Sequence, residues 1–227
     1  MKRPRYDYHG FSLRKLKDPR FSHVLLLGGW IFYFVMYLIT ENLISPERCH
    51  VVHCALDDMI PFCAPFVIFY TGWYVLVVAS LAYTLFFNVP AFRKLQTYII
   101  ITQVIAMAWY VIYPSIQLMR PETFPVDNVF TKVLGLIYLI DTPTGVCPSL
   151  HVAYSLGILS VSLKDKELNR GLKGFLIFLV VMICVSVCFV KQHSAVDVFC
   201  AIPVGIAAEI LVYGKDYWKP RFQKNKK

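Results

Sequence analysis

The feature that most constrains this chain is a series of long runs without a formal charge. No Asp, Glu, Lys or Arg occurs in residues 21–40, 59–88, 97–113, 149–163 or 174–190. A sixth run, 194–213, holds only Asp197 and Glu209. A helix needs about 20 mostly apolar residues to cross the hydrocarbon core of a bilayer. Hydrophobic residues make up 57% of the chain and charged ones only 16%. The expected fold is therefore all-α, a polytopic membrane bundle of six transmembrane helices, whose backbone polar groups are satisfied within each helix. Transmembrane β-strands would alternate apolar and polar residues, and no such alternation is present.

The charge distribution orients the bundle. With six spans, both termini lie on one side. That side holds 19 of the 23 Lys and Arg, in the N-terminal tail, the second and fourth loops and the C-terminal tail. The other side holds Arg48, Arg120, Lys132 and Lys191. Positively charged loops stay in the cytosol, so residues 1–20 and 215–227 read as cytosolic basic tails and 21–214 as the membrane domain. The net charge of +9 invites nucleic-acid binding. Alternation of the basic residues with apolar spans argues instead for topology, with no nucleic-acid partner. The first run is too long and aromatic for a cleavable leader, and no small-residue cleavage site follows it. The expected location is the plasma membrane.

Smaller features follow in chain order. Asp57-Asp58 before Ile60-Pro61 resembles a helix start, with Pro65 a possible kink in the second span. Pro90, Arg93 and Lys94 mark a short loop. Residues 133–140 are apolar but too short to cross, and fit an interfacial or re-entrant segment. Cys49-His50-Val51-Val52-His53-Cys54 has metal-binding residue types, but not a standard zinc spacing, and an ordinary capping loop is favoured. Cys49 and Cys54 are a candidate disulfide if their loop faces an oxidising compartment. No cofactor and no metal are expected. Glu209 sits near the cytosolic end of the last span, where a structural role is favoured over catalysis. Trp30, Trp73, Trp109 and Trp218 read as interfacial belt and packing.

The extracytoplasmic side carries the chemistry. His193 and Asp197 are four residues apart and share one face if helical. A carboxylate beside an imidazole fixes its tautomer and makes the other ring nitrogen a better nucleophile or base. A polar interhelical contact is the plain alternative for this pair alone. Ser149 is a plausible N-cap for the fourth span, with His151 in its first turn, where the helix dipole favours an anion. Arg120, followed by Pro121, can bind phosphate oxygens through two N–H groups. Lys191 adds a cation ahead of His193. Three chain segments thus converge on one face as a phosphate site with two histidines.

Pro148-Ser149-Leu150-His151 and His193-Ser194-Ala195-Val196-Asp197 resemble the second and third motifs of the type 2 phosphatidic acid phosphatase superfamily. Arg120-Pro121 is similar to the end of its first motif. The resemblance covers most of the chain, and the pairing looks like the branch with inositol phosphoceramide synthases and bacterial relatives. Ile60-Pro61-Phe62 looks like that branch more weakly. Three positions depart from the pattern. Tyr113 stands where the first motif has lysine, Leu150 replaces the glycine of the second, and Val187 replaces the arginine of the third.

The resemblance implies a metal-free covalent mechanism. His193 attacks phosphorus, Asp197 orients it, and His151 protonates the leaving oxygen and then activates water or an alcohol. Arg120, Lys191 and Ser149 hold the phosphate, with Lys191 standing in for a missing cation. The implied activity is hydrolysis of a lipid phosphate or diphosphate. The close rival is transfer of a head group to an alcohol, as in sphingomyelin or inositol phosphoceramide synthesis. A catalytically silent scaffold or transport protein is a rival of another class, and a vanadate haloperoxidase is disfavoured because that reading suits soluble chains. Oligomeric state is left open.

Overall fold

The computed structural model describes residues 4–224, with side chains through residue 217. Lys2, Arg3, Lys226 and Lys227 lie outside the described residues, and the side chain of Trp218 is likewise not described. The architecture is all-α. Its helices are α1 (Gly28–Leu43), α2 (Ala55–Met59), α3 (Val67–Phe87), α4 (Val89–Ile112), α5 (Val129–Ile140), α6 (Leu150–Lys164), α7 (Arg170–Phe189) and α8 (Ala195–Lys224). Among the described residues, five helical segments are long and apolar enough to cross a membrane: Ser22–Leu43, Ala64–Phe87, Val89–Ile112, Arg170–Phe189 and Ala195–Tyr217. Their outward faces are apolar, as at Ile31, Val75, Val78, Val181 and Leu211. That makes this a membrane protein.

Two span boundaries differ from expectation. The second run does not continue from residue 59. Asp57 and Asp58 belong to the short α2, residues 60–63 are not helical, and the membrane segment starts at Ala64. Pro61 lacks an amide N–H, and Cys63 N donates to Phe189 O at 2.9 Å, tying this stretch to the end of α7. Pro65 falls in the first turn, where proline is tolerated, and produces no mid-helix kink. The expected loop at Pro90, Arg93 and Lys94 is helical. Asn88 caps α4 by accepting from Ala91 N at 3.3 Å, and Pro90 lies in the first turn. A single residue therefore joins α3 to α4.

α6 occupies the middle of the bundle and packs on α3, α4, α7 and α8. It has 15 residues, about 22 Å at 1.5 Å per residue, short of a core about 30 Å thick. Its buried residues, among them His151, Ala153, Tyr154, Ser155 and Ile158, spread around the helix. Close approach at Gly157 makes this enclosure possible: a Cβ there would lie 2.4 Å from the Tyr98 ring.

The two ends of the bundle differ. At one end, Asn88 Nδ2 donates to Asp165 Oδ2 at 3.2 Å, Lys164 pairs with Glu209 at 2.6 Å, and Lys94 pairs with Asp216. Glu209 also accepts from Ser160 and Tyr217, each at 2.6 Å. The N-terminal residues dock at this end, with Tyr8 donating to Leu85 O at 2.9 Å. At the other end a polar cap joins three loops. Strand β1 (His50–Val51) pairs in parallel with β2 (Ser115–Ile116), and Gly145 N donates to Ser115 O at 2.8 Å. α5, capped by Asn128, closes this end. It buries Leu134 with Tyr70, Val187 and Val190 and leaves Leu136, Leu139 and Ile140 exposed.

Candidate active site

The His193–Asp197 pair forms at the turn between α7 and α8. Lys191 adopts a left-handed backbone, φ 54°, which folds the chain back so that the Gln192 and His193 N–H groups both donate to Val187 O at 3.0 Å. His193 therefore precedes α8 and does not share a helical face with Asp197. The contact forms another way. Asp197, in the first turn of α8, reaches back with Oδ2 to accept from Ser194 N at 3.0 Å and to meet His193 Nδ1 at 3.1 Å. Asp197 is fully buried. With Nδ1 committed to a carboxylate, Nε2 is the ring nitrogen left to react.

A second carboxylate holds this turn, one for which the sequence favours a helix-start role over contact with a substrate head group. Asp57 does cap its own helix, accepting from Cys54 N at 2.9 Å. It also accepts from Ser194 Oγ at 2.5 Å and Ala195 N at 2.8 Å. It thus caps the start of α8 from 137 residues away. Burial pushes the Asp57 carboxyl up, but the bonds from Ser194, Ala195 and Cys54 outweigh it, so the group lies below its ordinary value.

His151 approaches from α6. Ser149 holds the N-cap position as expected, but its side chain makes no capping bond and Oγ has no partner. Its backbone N–H instead donates to Asp197 O at 3.1 Å, which ties the start of α6 to that of α8. The His151 ring lies 4.1 Å from the Trp73 ring, 4.6 Å from Tyr70 and 5.6 Å from His193, centroid to centroid. Its Nε2 is buried without a partner. Trp73, read from the sequence as belt or packing, is one wall of the site.

The structure does not bring the two expected phosphate cations to the histidines. Lys191 Nζ donates to Asp57 O at 3.0 Å and Ile60 O at 2.6 Å, carbonyls at the end of α2. Arg120 donates to Tyr138 O at 3.2 Å and Asp141 O at 2.6 Å, at the end of α5, with its guanidinium 4.5 Å from the Tyr138 ring centroid. Cations are favoured at helix C-termini, and that local attraction decides both side-chain directions. The N–H groups of Leu150, His151 and Val152, in the first turn of α6, have no acceptor among the described residues. They are the anion-directed donors beside the histidines.

A cavity of about 60 Å³ lies against His151 and His193, lined also by Tyr33, Tyr37, Asp141, Thr142 and Gln192. Neither Asp141 nor Gln192 stands out in the sequence as a site residue. Their adjacency to the two motifs was the available signal. Asp141 Oδ2 accepts from Tyr70 OH at 2.6 Å and Gln192 Nε2 at 2.9 Å. Cys147 sits behind Asp197. Burial, then the Asp197 charge, pushes its thiol far above its ordinary value, so it is no thiolate nucleophile.

The Cys-His loop is taken apart by its own contacts. His50 stacks on Tyr113 at 4.1 Å, His53 bonds Asp58 at 2.9 Å, and Cys49 and Cys54 are both free thiols. Among the described residues no group of three or more His, Cys, Asp or Glu could hold a metal ion.

What the arrangement offers chemically is a buried, carboxylate-oriented imidazole facing a second imidazole across a small cavity, with unpaired backbone donors alongside. Comparisons with family models, with curated proteins and with solved structures find no match for this chain.

Proposed function

We propose that this protein is an integral membrane enzyme that transfers a phosphoryl group from a lipid phosphate through a phosphohistidine at His193. One observation carries the reading: a buried His193–Asp197 pair at 3.1 Å, with His151 5.6 Å away across a cavity at one end of the bundle. His193 Nε2 attacks phosphorus while Asp197 stabilises the imidazolium that forms. His151 protonates the leaving oxygen and later takes the proton of the incoming nucleophile. The first-turn N–H groups of α6 stabilise charge on the equatorial oxygens. Arg120 and Lys191 act by holding α5 and α2, not by binding phosphate. The resemblance of Pro148–His151 and His193–Asp197 to the phosphatidic acid phosphatase motifs supports the same mechanism.

The leading reaction is hydrolysis, with water as the second nucleophile. Head-group transfer to an alcohol is the second reading, favoured by the absence of Lys and Arg from the cavity lining among the described residues. A bare phosphate dianion would want such a cation. We place six crossings in the membrane, with α6 as the enclosed sixth, both termini cytosolic and the histidines extracytoplasmic. The 19-to-4 division of Lys and Arg supports that orientation. The test is turnover of a lipid panel by the purified protein in nanodiscs. His193→Ala is expected to abolish release of inorganic phosphate or of a new phosphodiester. Full activity in that variant would refute the mechanism.

A further inference from the structure

Resting on the phosphohistidine reading, we infer that the cavity beside His151 and His193 holds an ammonium-bearing head group, so that the substrate is a zwitterionic phosphodiester lipid carrying a primary amine. The first observation is an orphaned acceptor. Gln192 is 2% exposed and lines the cavity, and its Oε1 has no partner. The amide cannot turn to relieve this, because Nε2 donates to Asp141 Oδ2 at 2.9 Å and to Tyr70 OH at 3.2 Å. A buried acceptor left unsatisfied calls for a donor from the ligand. The ionised oxygens of a phosphodiester are acceptors and cannot supply one.

On the side of the cavity away from the histidines' chemistry, further lining groups favour a cation. Asp141 contributes a carboxylate. Thr142 Oγ1 donates to Glu41, and Thr144 Oγ1 donates either to Glu41 at 3.3 Å or to Thr142 Oγ1 at 2.8 Å, so both hydroxyl protons are already committed. Arg120 donates to backbone carbonyls, not to the Asp141 carboxylate. Tyr33 and Tyr37, stacked at 6.1 Å, form an aromatic wall of the kind that attracts cations. Size narrows the choice further. At 10–15 Å³ per water-sized centre, about 60 Å³ takes roughly four to six such groups. An aminoethyl group is of a size to fit this space.

The chemistry balances without another reagent class. His193 Nε2 forms an N–P bond as the bond from phosphorus to the glycerol oxygen breaks, and the leaving diacylglycerol takes a proton from His151. The aminoethyl phosphate stays on His193 with its ammonium at Gln192 and Asp141. Water or an alcohol then bonds to phosphorus, the N–P bond breaks, and His151 recovers the proton.

The test compares phosphatidylethanolamine, phosphatidylcholine, phosphatidylglycerol and phosphatidic acid of matched acyl chains with the full-length protein in nanodiscs, reading diacylglycerol released. His193→Ala serves as the control for each lipid. The expected kcat/KM for phosphatidylethanolamine exceeds that for phosphatidylglycerol and phosphatidic acid at least tenfold. Phosphatidylcholine, which keeps the cation but lacks an N–H, falls between. Gln192→Leu should narrow the gap between the two zwitterionic lipids. His193-dependent turnover in which phosphatidylglycerol or phosphatidic acid equals or exceeds phosphatidylethanolamine overturns this inference and leaves the phosphohistidine reading standing. Turnover of every lipid that survives His193→Ala, or none at all, overturns both.

Discussion

The two ends of the helical bundle handle polar groups in opposite ways. At the end with the N-terminal segment, charges pair across the surface: Lys164 with Glu209, Lys94 with Asp216, Arg20 with Asp7. Among the described residues there, His23 Nδ1 is the buried polar atom without a partner. At the histidine end, Ser149 Oγ, His151 Nε2, Gln192 Oε1 and Arg120 Nε are all buried and unpaired. Each orphaned group is costly, and groups of this kind concentrate where a ligand or a reaction supplies the missing partner. On the proposed reading, the first end is complete in itself and the second is completed by the substrate.

The sharpest way to break this contrast is to remove the groups that the account places in the chemistry. His151→Ala should lower kcat by about 10²–10⁴-fold, the usual contribution of a positioned general acid. Asp197→Asn, which loses the carboxylate behind His193, should fall in a similar range. The helix content by circular dichroism should change little in either variant. A tenfold effect or less at both positions would reduce the histidine end to packing.

Gly157→Ala separates architecture from chemistry. Its Cβ would meet the Tyr98 ring at 2.4 Å, so the variant should lose about 1–3 kcal/mol of stability by overpacking. Thermal melting in detergent reads this. An unchanged midpoint would mean that α4 and α6 are not as close as described.

Asp57 sharpens the comparison through pH. The folded-state value of its carboxyl lies below the ordinary 3.8, so its ionised form is favoured by folding. The stability it contributes is fully present above the unfolded value. It is lost as pH falls through the folded value. Asp57→Asn should therefore melt lower than the parent at neutral pH, by about 1–3 kcal/mol for charge-assisted bonds. The gap should close as pH drops below about 4. A gap that persists in acid would show that shape, not charge, is what Asp57 supplies.

The smallest effect is expected at the opposite end. Lys94→Ala breaks a largely exposed pair with Asp216, with side chains 38% and 56% accessible. Exposed pairs are worth about 0–1 kcal/mol. Melting should shift by no more than that, and lipid turnover should be unaffected. A large loss of activity would mean that the two ends are coupled.

The legible parts of the molecule were those set by composition and local spacing. Charge-free runs marked the membrane helices, and the four-residue interval from His193 to Asp197 marked their contact, although the geometry is a helix-start carboxylate reaching back to the preceding turn and not a shared helical face. The directions of Arg120 and Lys191 were not legible, because the carbonyl ends of α5 and α2 that capture them exist only after folding. The same holds for Asp57, whose second role joins segments 137 residues apart. The Tyr70–Asp141–Gln192 network draws one residue from each of three elements, and no spacing in the chain reports it. The two strands have two residues each, too few for any alternating pattern. The break at residues 60–63 was hidden because those residues are as apolar as the span that follows.

The central claim is that His193 carries the phosphoryl group. Brief incubation of the protein with a lipid labelled with ³²P at the reacting phosphorus, followed by quenching in base, tests it directly. The account predicts label on the protein that survives alkali, is released by mild acid, maps to the peptide containing His193 and is absent from His193→Ala. Turnover of the lipid with no acid-labile label on that peptide, or equal labelling of the variant, would contradict it.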